Sequence, residues 1–211
     1  MYIGRIVAIG ATPAGQSATM YRVSSRSFPN REAKIAGRTV SIMPRPGFEG
    51  DLAKNPYIAY NCIRLAGDIA LATNGSHTDP VIEKIEMGMP VRDALALSLL
   101  ALDYEKDSYC TPRIAAAVSL SKPIGWLAIV RKDAIHVNEF ELRAGQLFYV
   151  ATYEHNTPCR HYIDDDFRAD GAPAACLHVI KGGIFADFEN PVTAASAVAK
   201  NGAFELAVAN A

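Results

Sequence analysis

Apolar and polar positions alternate from the first residues, MYIGRIVAIG, and β-branched and apolar content bounded by Gly and Pro predicts strands over 2–9, 18–24 and 38–43. Paired strands therefore open the chain. Residues 55–66, NPYIAYNCIRLA, read as a helix or as a turn leading into one, and GDIALATN at 67–74 is a short apolar run ending in a turn. Two helices follow. TDPVIEKIEMG offers Thr78 or Asp79 as N-cap, Pro80 in the first turn and Gly88 as the stop. In MPVRDALALSLLALDYE, Val91, Leu95, Ser98 or Leu99, and Leu102 recur at helical spacing, while Leu97 and Leu100 make the segment apolar nearly all round. That is the pattern of a mostly buried helix.

Four β-like runs come next, RIAAAVSLS, IGWLAIVRK, AIHVNEFEL and QLFYVATYE, with RKDA as a turn between the second and third; they predict an antiparallel meander. ACLHVIKGG reads as a further strand, NPVTAASAVAK as a helix, and AFELAVA closes the chain. Strands, two adjacent helices and more strands do not alternate as βαβ units would. The fold class is therefore α+β with mostly antiparallel sheet, and two sheets between helix layers would accommodate it. PRPGFEGD at 44–51 is a loop, but no repeat, low-complexity tract or Ser/Gly-rich linker marks a boundary. A chain of 211 residues, 50% hydrophobic, is expected to form one domain.

Charge and cysteines narrow the setting. Lys and Arg number 21 against 22 Asp and Glu, and this balance argues against a nucleic-acid partner. No apolar run reaches the ~18–20 residues of a membrane span, so a soluble, unexported protein is expected. Cys62, Cys110, Cys159 and Cys176 are widely spaced without a CxxC pair, which fits free thiols in a reducing cytoplasm.

The positive charge is local. Residues 1–31 hold Arg5, Arg22, Arg26 and Arg31 but no Asp or Glu, and YRVSSRSFPNR sets three of these arginines among serines. Either a compact anion or carboxylates from elsewhere in the fold must meet them. If the strand stays extended, the Cα atoms of Arg22 and Arg26 lie ~13 Å apart and grip different parts of a ligand. If SSRSFPN curls, Arg26 and Arg31 converge with serine hydroxyls on one phosphate. Neither GxGxxG nor GxxxxGK[ST] occurs, so side chains must hold any phosphate.

Other candidates each have a plain structural reading beside the chemical one. Lys181 with Gly182 and Gly183 presents a cation beside glycine backbone donors, or simply a turn. Glu105, just past the apolar helix, would trade protons near neutrality if desolvated, or else pairs with Lys106 at the surface. His155, Cys159 and His161, followed by Asp164, Asp165 and Asp166, match no standard zinc spacing and read as a solvated loop, so no metal site is expected. NGSHTD at 74–79 is a turn, without the GxSxG that would make Ser76 a nucleophile.

MYIGR, YRVSSRSFPNR, NPYIAYNCIR, TNGSHTDP, LSLLALDYEKD, TPRIAAA and KGG followed by NPVTAA, in this order, resemble the archaeal-type IMP cyclohydrolase family. The resemblance covers nearly the whole chain and is thinnest over 131–175. It implies ring closure of 5-formamidoimidazole-4-carboxamide ribotide to inosine 5′-monophosphate with loss of water. It also implies a four-layer αββα sandwich similar to the Ntn hydrolases, without their processed N-terminal nucleophile, since this chain begins Met1-Tyr2. The nucleophile is the substrate's own carboxamide, and neither metal nor redox cofactor is required. A purine ribonucleotide partner, a homo-oligomer and a cytoplasmic setting are expected.

On this resemblance Arg22 and Lys181 make cationic contacts to substrate, and Arg26 and Arg31 share the phosphate if the loop curls. Tyr57 or Tyr60, with Asn61, hydrogen-bonds the reacting amides; Glu105 is the general base or acid, supported by Tyr104 and Arg113. Ser24 and Asn74 complete the expected substrate-binding set. Two alternatives remain: a non-catalytic purine-nucleotide-binding protein, or an Ntn-type amide hydrolase using Cys62 or Ser76.

Overall fold

The computed structural model describes residues 1–211. A hairpin of β1 (Ile6–Ala11) and β2 (Ser17–Ser24) begins one sheet. The chain then crosses to a second sheet with β3 (Arg31–Ala36) and β4 (Thr39–Pro44). After the short helix α1 (Asp51–Lys54) and a 3₁₀ turn (Pro56–Ile58), β5 (Tyr60–Ala66) and β6 (Ile69–Thr73) continue that sheet. Helices α2 (Thr78–Glu86) and α3 (Val91–Leu102) precede its last three strands, β7 (Arg113–Ser119), β8 (Ile124–Arg131) and β9 (Ala134–Glu141). The chain returns to the first sheet with β10 (Leu147–Ala151) and β11 (Ile163–Asp164), forms α4 (Ala172–Lys181) and a 3₁₀ turn (Gly183–Asp187), and ends with β12 (Pro191–Lys200) and β13 (Ala203–Asn210).

The first sheet has the order β11-β10-β1-β2-β12-β13, the second runs β3 to β9 in chain order, and the pairings within both are antiparallel. Val7, Ile9, Tyr21 and Val150 of the first sheet pack against Ile42, Ile63, Ile114 and Ile129 of the second. The outer face of the second sheet is covered by α2 and α3 through Val81, Ile82, Leu95 and Leu99. The outer face of the first is covered by α4 and the 3₁₀ turn after it, through Cys176, Val179 and Phe185. Four layers, αββα, result. No helix is long and apolar enough to cross a membrane.

Several local expectations are corrected by pairing. The first strand starts at Ile6 rather than residue 2. NPYIAYNCIRLA is no helix: the Asn55 side chain accepts from Tyr57 N–H at 2.8 Å and caps one 3₁₀ turn, Ala59 is extended, and Tyr60 starts a strand paired with β4. Helix α2 begins at Thr78 itself, so neither Thr78 nor Asp79 is its N-cap, while Gly88 ends it at φ +89°. In α3 the apolar wrap is incomplete in effect, since Ala94, Leu95, Ser98 and Leu99 are buried but Leu97 and Leu100 face outward.

The meander holds for β7, β8 and β9, but the fourth run, β10, pairs with β1 in the other sheet. All five β10 residues are buried, as suits a strand inside a covered sheet, whereas half of β9 is exposed at an edge. ACLHVIKGG is helix as far as Lys181, not strand: the buried residues of α4, Ala172, Ala175, Cys176, Val179 and Ile180, recur at helical spacing. NPVTAASAVAK is strand, not helix. Flanked by β2 and β13, it takes ladder hydrogen bonds on both sides, and its small side chains let α4 approach closely, with Ser196 Oγ donating to Ala172 O at 2.7 Å. Burial and pairing outweigh alanine's helical preference.

Candidate active site

At one end of the sandwich β1, β3, β5 and β7 begin and β2, β6 and β10 end, so their loops converge. They surround a cavity of about 400 Å³. That volume suits a small-molecule ligand. Tyr2, Tyr57, Tyr109 and Tyr153 give it aromatic surface; Arg5, Arg26, Arg31, Ser25 and Ser27 give it donors; Glu105 and Asp107 are its acids.

Glu105 lies three residues beyond α3, in a loop closed by Asp107, which accepts from Thr111 N–H at 2.8 Å and Thr111 Oγ1 at 2.6 Å. Glu105 N–H donates to Thr111 O at 2.9 Å, turning the side chain inward, where it is 2% exposed. Lys106 pairs with Asp103 instead, so the surface pairing with Glu105 does not occur. Arg5 Nη2 stands 3.6 Å from Glu105 Oε2, and Arg113 Nη1 stands 3.7 Å from Oε1. Both separations exceed direct hydrogen-bond reach. Burial raises the Glu105 pKa, and Arg5 and Arg113 only partly oppose it. Burial also works against the charge on Arg5, but Tyr60, Tyr153, Tyr21 and Glu105 outweigh it, and Arg5 stays charged. Arg5 Nε and Arg113 Nη1 are buried donors with no acceptor within the chain. The arrangement pairs a proton-trading carboxyl with unspent guanidinium donors.

The three arginines of YRVSSRSFPNR meet three different fates. Arg22 lies on the helix-facing side of β2, fully buried, and does not line the cavity. Its Nη1 donates to the carbonyls of Val179 (3.2 Å), Ile180 (3.1 Å) and Phe185 (3.0 Å), and its Nη2 to those of Phe188 and Glu189. The expected substrate contact is thus corrected: Arg22 caps the carbonyl end of α4 and the following turn, and burial lowers its pKa to about 10. Ser24 is drawn into the same role, accepting from Arg22 Nε at 3.0 Å, while its neighbour Ser25 lines the cavity. Arg26 lines the rim, stacked 4.3 Å from the Tyr2 ring and paired with Glu189 at 3.0 Å. Arg31 is buried against the cavity, donates Nε to Phe28 O at 3.1 Å, and has no carboxylate within 4.0 Å.

The curl at SSRSFPN is present: Phe28 N–H donates to Ser25 Oγ at 3.0 Å, and residues 25–30 bend across from one sheet to the other. It brings Arg26, Arg31, Ser25 and Ser27 to one cavity wall.

Tyr57 and Tyr60 do not share a helix face. Tyr57 lines the cavity, 44% exposed, whereas Tyr60 is hydrogen-bonded to Tyr21 OH at 2.6 Å. Asn61 is held elsewhere, donating to both oxygens of Asp79 at 3.0 and 3.2 Å and accepting from Ser41 Oγ at 2.7 Å. Asn74 is fully buried, donating to Pro112 O at 2.9 Å and accepting from Ile114 N–H at 2.8 Å; it pins the start of β7 beside Arg113. Lys181 is an exposed last residue of α4, away from the cavity. Tyr104 packs against Lys106, 3.6 Å from its ring, outside the cavity lining.

The remaining polar motifs do not converge on the cavity. His155 bonds Tyr149 OH through Nδ1 at 2.6 Å and stacks on Tyr162, and Asp164 pairs with His178 at 3.0 Å. No three His, Cys, Asp or Glu side chains are grouped to hold a metal ion. Cys62 sits in the inter-sheet core with its thiol pushed far up by burial, and Ser76 is exposed, so neither is an activated nucleophile here.

Arg5, Tyr109 and Tyr153 are cavity residues that local motifs do not single out. Arg5 alone carried a signal, as one of four arginines in an acid-free stretch; the tyrosines sit on loops whose convergence only strand pairing creates.

Residues 2–203 match the IMP cyclohydrolase-like protein family. A relative from Methanosphaera stadtmanae, named IMP cyclohydrolase, is 48% identical over 201 residues, 95% of this chain and 96% of its own. One of the same name from Methanocella arvoryzae is 49% identical over 211 residues, 100% of this chain and 98% of its own. Another, from Methanothrix thermoacetophila, is 43% identical and covers 100% of this chain and 99% of its own. Aligned end to end with such relatives, and matched over all the segments that build the cavity, the chain belongs to the IMP cyclohydrolase-like family.

Proposed function

We propose that this chain is an IMP cyclohydrolase, a single domain that closes 5-formamidoimidazole-4-carboxamide ribotide to inosine 5′-monophosphate with loss of water. The observation that carries the site assignment is Glu105, buried between Arg5 and Arg113 at 3.6 and 3.7 Å with no direct hydrogen bond to its carboxylate. Family membership supplies the reaction.

Ring closure needs the carboxamide nitrogen held against the formyl carbon, a proximity effect worth up to ~7–11 kcal/mol in favourable systems. The nitrogen forms the new C–N bond and gives up one proton, and the formyl oxygen gains a proton to become hydroxyl. That hydroxyl then leaves with a proton from the former formamido nitrogen, as water. Glu105 takes the first proton as base and returns one to the departing oxygen as acid. Arg5, whose Nε is an unpaired buried donor, stabilises the oxyanion between these steps. Arg31, with Ser25 and Ser27, binds the phosphate, and Arg26 assists from the rim. Tyr57 hydrogen-bonds the reacting amide, and Tyr109 and Tyr153 flank the heterocycle. Arg113 supports Glu105 from the side away from Arg5.

The four layers support an Ntn-hydrolase-like scaffold for this chemistry. Met87 and Leu97, exposed around one groove outside α2 and α3, support association into a homo-oligomer, and purine synthesis suits a cytoplasmic protein. The test is the rise in inosine monophosphate absorbance when purified protein meets the formamido ribotide, measured against the uncatalysed rate and repeated with a metal chelator. No acceleration in either condition ends the proposal.

A further inference from the structure

Behind Glu105, Gly75 and His77 stand beside Arg113; neither lines the cavity, and neither has a place in the ring closure described above. His77 is fully buried and its Nε2 lies 3.0 Å from Ile114 O. A carbonyl only accepts, so Nε2 carries the proton and Nδ1 is left as an acceptor. Burial and Arg113 hold the His77 pKa down to about 3, keeping the ring neutral. Nδ1 has no hydrogen-bond partner within the chain, nor does Arg113 Nη1.

Both orphaned atoms converge on Gly75. A Cβ added there would lie 3.0 Å from Arg113 Nη1, 3.4 Å from Glu105 Oε1 and 3.4 Å from His77 Nδ1. Gly75 is not in the left-handed region, so its backbone does not demand glycine; a side chain there would instead press on these three polar groups. Thr73 Oγ1 and Thr78 Oγ1, hydrogen-bonded to each other, lie 3.1 and 2.9 Å from its carbonyl oxygen and hold the residue in place.

We infer that Gly75, His77 and Arg113 build a one-water site behind Glu105, and that His77 is a positioning residue of the reaction acting through that water. This inference rests on the reading of Glu105 given above. The hydrogen-bond complement closes: Arg113 Nη1 donates to the water oxygen, and the water donates to His77 Nδ1 and Glu105 Oε1. Three partners are what an ordered buried water needs. Arg113 Nη1 and Glu105 Oε1, 3.7 Å apart, are too far for a direct hydrogen bond and near enough to share one water lying to their side. The bound water fixes Oε1, leaves Oε2 on the Arg5 side for the substrate, and stabilises the ionised carboxylate against burial.

The experiment combines crystallography with pH–rate profiles. A high-resolution structure of the wild type is expected to show one ordered water within about 3.2 Å of Nδ1, Nη1 and Oε1. A niche without that water, or a direct Nη1–Nδ1 contact, overturns the inference whether or not the protein closes the ring. Gly75→Ala and His77→Leu should lower kcat ~10-fold or more with KM little changed. They should also move the acidic limb of the profile to higher pH, because the carboxylate loses a donor. His77→Asn, which keeps an acceptor near the Nδ1 position, should recover much of the loss. If Gly75→Ala folds and keeps the wild-type limb, the site has no part in the reaction; if the water is present but the wild type does not turn over substrate, the functional reading fails and takes the positioning role of His77 with it, while the water site stands.

Discussion

Tyr21 on β2 and Tyr60 on β5 share a hydroxyl–hydroxyl hydrogen bond of 2.6 Å that joins the two sheets within electrostatic reach of Arg31 and Arg5. Neither phenol has another hydrogen-bond partner, and burial raises the pKa of both. Tyr60 is therefore half of a part-buried hydrogen-bonded pair, whereas Tyr57 faces the cavity.

Tyr60→Phe should leave the Tyr21 hydroxyl unpaired and cost about 1–3 kcal/mol of stability. Adding Tyr21→Phe should cost less than a second independent loss, and a double-mutant cycle in urea measures the coupling. Tyr57→Phe should lower kcat while leaving stability unchanged within ~0.5 kcal/mol. The reverse pattern would return the catalytic role to Tyr60.

Glu105→Gln should lower kcat by ~10²–10⁴-fold. It should also stabilise the fold near neutral pH. The Glu105 pKa is raised in the folded state, so that state holds the proton more tightly than the unfolded chain. Stability from this group is complete below the unfolded value of ~4.3 and is lost as pH rises through the folded value. Melting temperatures of variant and wild type should therefore coincide in acid and separate as pH rises, the variant being higher.

Arg22→Ala should cost about 3 kcal/mol or more, because several buried carbonyls at the end of α4 lose their donor together. Lys181→Ala, at an exposed position, should change stability by less than ~0.5 kcal/mol. Thermal unfolding checks both. An Arg22→Ala protein that melts like the wild type but binds substrate weakly would restore Arg22 to the binding site.

Arg31→Ala should raise KM ~10-fold or more, as loss of a charge-assisted phosphate contact does. Arg26→Ala should do less, because Arg26 is exposed and already paired with Glu189. Competition by inosine, which lacks the phosphate, against inosine monophosphate reads the same contact from the ligand's side: the wild type should discriminate strongly and Arg31→Ala weakly.

Helices α2 and α3 and the meander β7–β9 were legible in the sequence, because their signals lie within one element: a stop at Gly88, helical spacing at Leu95 and Leu99, a turn at RKDA. The identities of α4 and β12 were not. An alanine-rich segment is a strand here only because β2 and β13 lie on either side of it, and α4 is a helix although its apolar run reads as a strand. Glu105 was legible as a candidate, and its burial between two arginines was not.

By its own order of residues the chain determined an α+β class and an acid-free segment rich in arginine, and it left SSRSFPN open between an extended strand and a curl. Composition, charge pattern and turn chemistry are properties of neighbours along the chain. Which partner each arginine meets is a property of neighbours in space. Strand pairing sent Arg22 to the carbonyls of α4, Arg26 to Glu189 and Arg31 to the cavity, and it brought Arg5 to Glu105. Each pairing spans scores of residues or more, and hydrogen-bond geometry at that range exists only once the two sheets have closed on each other.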